Sequence, residues 1–131
     1  MMKHTILILF LFLSLLCHGQ SYKFFTTDRE LSSSLINKIY QDRNGMIWIA
    51  TEDGLNRYDG AKFITYKHDP ENEYSLCHNY VRVLYEDSKG RLFVGTYNGI
   101  QLCDPETDSF SARAQWEDGK TFDSNIMSIL E

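Results

Sequence analysis

Apolar positions in this chain come in short runs broken at close intervals by Gly and Asp, with no helix-period stripe. Residues 36–41 and 46–51 predict two strands joined by Asp42-Arg43-Asn44-Gly45. There the aspartate can accept from its own turn, and the glycine can take the left-handed conformation that closes a tight hairpin. Glu52-Asp53-Gly54 turns into a third strand near Leu55 to Tyr58. Asp59-Gly60 turns into a fourth over Lys62 to Lys67, where Phe63, Thr65 and Lys67 alternate with Ile64 and Tyr66. Met46-Ile47-Trp48-Ile49-Ala50 has no polar face, so its strand must be covered on both sides.

The pattern then repeats. A shift of 45 residues places Asp42 on Asp87, Gly45 on Gly90, Thr51 on Thr96, Gly54 on Gly99 and Asp59 on Asp104. The same shift aligns Ile39 with Leu84, Ile47 with Leu92, Trp48 with Phe93 and Leu55 with Ile100, and a third copy opens at Ile126 and Ile129. Four strands per unit at this period are the signature of a β-propeller, whose stacked meanders cover one another's faces. The expected fold is all-β, a propeller fragment. Residues 20–30 hold a leading strand, at 22–27, that would close the last blade; 31–75 form blade 1, 76–120 blade 2, and 121–131 the first strand of blade 3. The ring is incomplete, because closed propellers take roughly 4 to 8 blades. Asp42, Gly45, Gly54, Asp87, Gly90 and Gly99 are expected to build turns, and Ile39, Trp48, Leu84 and Phe93 the blade core.

Composition agrees with a chain that buries a core: 43% hydrophobic, 14% aromatic and 24% charged residues. The net charge of −5, without a basic cluster, argues against nucleic acid as a partner. A basic start at Met1 to His4, an apolar run from Ile6 to Leu16 and the small residues of Cys17-His18-Gly19 mark 1–19 as a signal peptide cut before Gln20, hence an exported protein. Cys77 and Cys103 remain after cleavage. Export would permit them to pair, but two cysteines make neither a disulfide framework nor a four-ligand zinc site, so they read as small half-buried apolar residues.

Little in the chain suggests catalysis. Asp42-Arg43-Asn44-Gly45 lacks the alternating ligands and final glutamate of a calcium loop. Asp53 with Glu52, and Asp104 with Glu106 and Asp108, read as turn acids facing water; His68 and His78 read as solvated residues of the connection between blades. There is no glycine-rich phosphate loop and no Gly-x-Ser-x-Gly elbow, so no catalytic residue, metal or cofactor is expected. Trp48 suits packing between blades, since Phe93 holds the equivalent place. Tyr97 and Trp116, both expected in turns, are the candidates for ligand contact.

The segment from Leu31 to Asp59 resembles the two-component regulator propeller repeat, whose pattern runs Leu-Ser-x-Asn-x-Val-x-x-Ile-x-x-Asp-x-x-Gly-x-Leu-Trp-Ile-Gly-Thr-x-x-Gly-Leu-x-x-Tyr-Asp. Leu76 to Asp104 is similar to the same repeat, with Phe93 for tryptophan and Cys103 for tyrosine. The resemblance implies the periplasmic sensor of a hybrid two-component histidine kinase, of the kind common in Gram-negative bacteria that degrade complex glycans. It implies an N-terminal fragment of a propeller that senses glycan-derived oligosaccharides, with further blades, an immunoglobulin-like domain, a membrane helix and a kinase downstream. The full-length parent would be an inner-membrane-anchored homodimer, and this chain would not itself be an enzyme. The alternative is a secreted stand-alone propeller with a binding or lyase role. Downstream sequence encoding more blades, a membrane helix and a kinase would separate the two.

Overall fold

The computed structural model describes residues 21–27, 30–111, 114, 119, 126, 128 and 129. The described strands are β1 (Ile36–Gln41), β2 (Ile47–Thr51), β3 (Gly54–Tyr58), β4 (Phe63–Tyr66), β5 (Val81–Glu86), β6 (Leu92–Thr96), β7 (Gly99–Asp104) and β8 (Ser109–Phe110). They form two antiparallel meanders, β1-β2-β3-β4 and β5-β6-β7-β8. The repeat extends to irregularities: the register shifts between Ile36 and Lys38 in one sheet and between Val81 and Val83 in the other.

Both hairpin turns close as the residue pattern predicts, with Gly45 at φ 84° and Gly90 at φ 80°. Each follows an aspartate whose carbonyl accepts the glycine N–H, at 2.9 Å from Asp42 and 3.0 Å from Asp87. Cross-strand pairing places Tyr40, Trp48 and Arg57 side by side, and Ala50, Leu55 and Tyr66 likewise, on one face of blade 1. Facing them are Leu84, Leu92, Val94, Cys103 and Phe110 of blade 2, with Leu76 and Val81 completing one apolar cluster. Trp48 is fully buried, its ring stacked on Tyr66 with centroids 6.0 Å apart, and Phe110 meets Tyr66 edge-on at 5.4 Å. The hydrophobic driving force of the fold is concentrated in this seam.

The open faces depart from the sequence expectation. Ile39, expected in the blade core, is 59% exposed, because it stands on the face of β1 turned away from blade 2. Its counterpart Leu84 is buried, and Phe93 is half-buried on the opposite outer face. Residues 22–27, expected as a strand, form no ladder: a strand needs a neighbour to bond, and this segment instead lays Phe25 on Tyr58 and Phe63, at centroid distances of 5.0 and 4.9 Å. Phe24 points away and is 86% exposed. The fourth strand of blade 2 is two residues long. Beyond it Ile126 is buried, its N–H bonded to the Thr96 carbonyl at 3.1 Å and its side chain in the space left by Gly95. The signal peptide, and most of the third-blade segment, lie outside the described residues.

Candidate functional site at the blade connection

Up-and-down strand order places the β1–β2 and β3–β4 turns at one end of a blade. The β2–β3 turn and the chain leading to the next blade lie at the other. At this second end each unit pins its incoming segment with buried polar side chains. In blade 1, Asn56 Oδ1 accepts the Ser32 N–H at 3.1 Å, and Ser32 Oγ meets Thr51 Oγ1 at 2.9 Å. In blade 2, Gln101 Oε1 accepts the Cys77 N–H at 2.7 Å, and Cys77 Sγ meets Thr96 Oγ1 at 3.1 Å. Buried amides and hydroxyls are tolerable only when paired in this way. The two threonines also bridge the turn that follows, donating to the Gly54 carbonyl at 2.8 Å and the Gly99 carbonyl at 3.1 Å.

Tyr97 stands at the tip of the β6–β7 turn and is 56% exposed. The connection brings two further rings to it: His78 at a centroid distance of 5.6 Å and Tyr80 at 6.2 Å. Tyr80 reaches back across the seam, its hydroxyl donating to Glu52 Oε1 at 3.0 Å, and that carboxylate holds the phenol above its ordinary value of 10. Beside it Asn79 Nδ2 donates to Asp53 Oδ1 at 3.2 Å, and Lys67 pairs with Asp53 Oδ2 at 2.6 Å. Around the corner lies a polar hollow of about 460 Å³, lined by residues including His68, Asn72, Ser75, Cys77, Asn98 and Gln101. Exposed ring faces flanked by carboxylates and amides can stack on a ligand's apolar face and hydrogen-bond its polar rim.

Tyr97 therefore sits in a small aromatic cluster, while Trp116 lies outside the described residues. The histidines are not simply solvated. His78 Nδ1 accepts the Tyr80 N–H at 2.9 Å, and His68 Nδ1 meets the Leu76 carbonyl at 2.6 Å. Nor do all turn acids merely face water: Asp108 accepts from the Tyr66 hydroxyl at 2.6 Å and pairs with Arg57 at 2.9 Å, tying blade 2 to blade 1. Glu52, expected as a turn acid facing water, instead accepts the Tyr80 hydroxyl, and Tyr80 itself is a residue that sequence reasoning missed. The signal available was the shift itself, which sets Tyr80 on Leu35 and so marks an aromatic gained in one unit. Cys77 and Cys103 are not joined; burial pushes the Cys103 thiol up to about 12. Among the described residues no group of three or more His, Cys, Asp or Glu could hold a metal ion.

Comparison with known proteins agrees with the architecture. Segments 30–53 and 75–98 match the family described as two component regulator propeller. The chain is 40% identical, over 73 residues, to "Histidine kinase P4" of Formosa agariphila; the match covers 53% of this chain and 5% of that protein. Among solved structures, it superposes at TM-score 0.64 and 30% identity on the extracellular domain of the hybrid two component system BT3049 from B. thetaiotaomicron, covering 79% of this chain and 15% of the other. The extracellular domain of BT4673 from the same organism shares the fold at TM-score 0.60 and 22% identity, with 82% and 15% covered. The chain thus spans a small part of each relative.

Proposed function

From a chain that carries two copies of the two-component regulator propeller repeat, we infer a part of the exported ligand-sensing propeller of a two-component sensor. The observation that supports this reading is the superposition of 79% of this chain, at 30% identity, on the extracellular domain of a hybrid two component system. In this reading the chain lies in the periplasm, belongs to an inner-membrane-anchored, homodimeric parent, and supplies no catalysis; phosphoryl chemistry resides in domains elsewhere in that parent. The ligand is a glycan-derived oligosaccharide, contacted at the end of the blades where Tyr97, His78 and Tyr80 gather, with further blades completing the pocket.

The test is a calorimetric titration, with a panel of oligosaccharides, of a complete propeller that carries these two blades, residues 20–131 alone being expected to show no measurable glycan binding. The expected result is binding that is lost in Tyr97→Ala. Binding that Tyr97→Ala leaves unchanged would move the site, and a response of the complete propeller to none of the sugars would set the oligosaccharide reading aside.

A further inference from the structure

The two blade entries share a further pair of bonds, one of which changes its acceptor. In the first, Leu35 N–H donates to Ser33 Oγ at 3.1 Å, while the Leu35 carbonyl accepts the Glu52 N–H at 3.1 Å. In the second, 45 residues on, Tyr80 N–H donates to His78 Nδ1 at 2.9 Å, while the Tyr80 carbonyl accepts the Tyr97 N–H at 3.0 Å. A hydroxyl is replaced by an imidazole, a group that can hold one ring proton or two.

The direction of the bond decides what a proton would do. Because the partner is a main-chain N–H, His78 Nδ1 is an acceptor and the ring carries its proton on Nε2. A second proton on Nδ1 would set N–H against N–H and end the bond. His68 is the built-in contrast. Its Nδ1 meets the Leu76 carbonyl at 2.6 Å; a carbonyl only accepts, so that nitrogen is protonated in either charge state and the bond survives titration.

What His78 holds matters for the seam. Its ring lies 5.6 Å from Tyr97, and the residue it anchors, Tyr80, bridges to Glu52 of blade 1 at 3.0 Å. Among the described residues, the ring itself meets Tyr97, and the charged groups reach its partner Tyr80 and the neighbouring Asn79: Glu52 and Asp53 of the β2–β3 turn, Lys67 bonded to Asp53, and Arg82 of β5 at 5.6 Å over the Tyr80 ring. We propose that His78 is a proton-operated latch on this seam. Neutral, it holds the Tyr80 N–H beside Tyr97; protonated, it frees that N–H, leaves the Tyr80 carbonyl on the Tyr97 N–H, and loosens the Tyr80–Glu52 link between blades. The latch stands apart from the identity of any ligand.

The experiment is a pH series from about 8 to 5, the range in which imidazoles change charge, on the whole isotope-labelled chain, with amide shifts and hydrogen exchange read together. The Tyr80 and Tyr97 amides should shift with the midpoint of the His78 ring protons while Leu35, held by a hydroxyl, stays still. Protection of the Tyr80 amide relative to Leu35 should fall about five- to tenfold, the loss of one hydrogen bond. His78→Ser, which copies the first unit, should abolish the pH dependence, and His68→Asn should leave it. A Tyr80 amide that ignores the His78 titration, or a response that persists in His78→Ser, overturns the latch. Should His78→Ser not fold, the comparison of Tyr80 with Leu35 in the unaltered chain decides alone.

Discussion

Asp42 and Asp87 meet the same requirement with different donors. Each sends Oδ1 to two N–H groups of its own turn, Asn44 and Met46 at 2.9 and 3.0 Å, or Lys89 and Arg91 at 3.0 and 2.9 Å. The second oxygen needs a further partner because both carboxylates are buried. For Asp42 it is the Trp48 indole N–H at 2.8 Å; where Phe93 replaces tryptophan, Arg91 Nε supplies the bond at 2.6 Å. Trp48→Phe should therefore destabilise by about 2 kcal/mol, and adding Met46→Arg should recover roughly 1 kcal/mol. A denaturant-unfolding double-mutant cycle with no coupling would refute the exchange. At Asp87 burial pushes the carboxyl up, but the Arg91 amide and guanidinium and the Lys89 amide outweigh it and hold it below its ordinary value of 3.8. A lowered folded-state value contributes stability above the ordinary value and loses it as pH falls through the folded one. Melting temperature should thus drop below about pH 4, and Asp87→Asn, already lower at neutral pH, should show a shallower acid limb in thermal scans.

Among the elements, the β3–β4 and β7–β8 hairpins are joined by Arg57 in addition to the Tyr66 contacts with Asp108 and Phe110. Arg57 lies over the Trp48 and Tyr66 rings at 5.6 and 5.8 Å, donates to the Pro105 carbonyl at 2.9 Å and pairs with Asp108. Its side chain is 13% exposed, whereas that of Asp108 is 47% exposed, so the ring contacts and carbonyl bond matter more than the ion pair. Arg57→Met keeps the apolar stem and should cost about 1 to 2 kcal/mol; Asp108→Asn should cost less than about 1 kcal/mol. Equal losses for the two variants in chemical denaturation would reverse that ranking. The β2–β3 turn is less forgiving. Gly54 has φ 130°, and a Cβ there would come within 2.8 Å of the Tyr66 carbonyl oxygen, so Gly54→Ala should destabilise by about 2 to 3 kcal/mol. A folded, unperturbed Gly54→Ala chain by thermal melt would contradict the close approach.

For the whole molecule, the two blades share one apolar seam, while β1 of blade 1 keeps Ile36 and Ile39 in water and the segment before it exposes Phe24 and Leu35. Repeat architectures draw much of their stability from interfaces between units. Residues 20–131 by themselves should therefore be marginal, melting below about 60 °C or associating on gel filtration; a monodisperse monomer with a cooperative transition above that temperature would show that one seam suffices. Ile39→Lys should change the stability of the isolated chain by less than about 0.5 kcal/mol, yet raise its solubility. A large loss of stability would mean that this face is covered.

The sequence by itself determined the elements and their order. Strand period, turn chemistry and the 45-residue shift are local quantities, and Asp42, Gly45 and their counterparts impose turns through bonds made within a few residues. It also marked Trp48 as an inter-blade packing residue, because an aromatic recurs in the next unit. Only tertiary structure decided which apolar residues are buried. Ile39 and Leu84 are equivalent in pattern, and one is exposed and the other buried because a neighbouring blade covers one face and not the other. The same holds for the polar partners. That Tyr80 meets Glu52 and that Asp108 meets Arg57 follow from how two meanders stack, and a contact across a seam leaves no period in the chain.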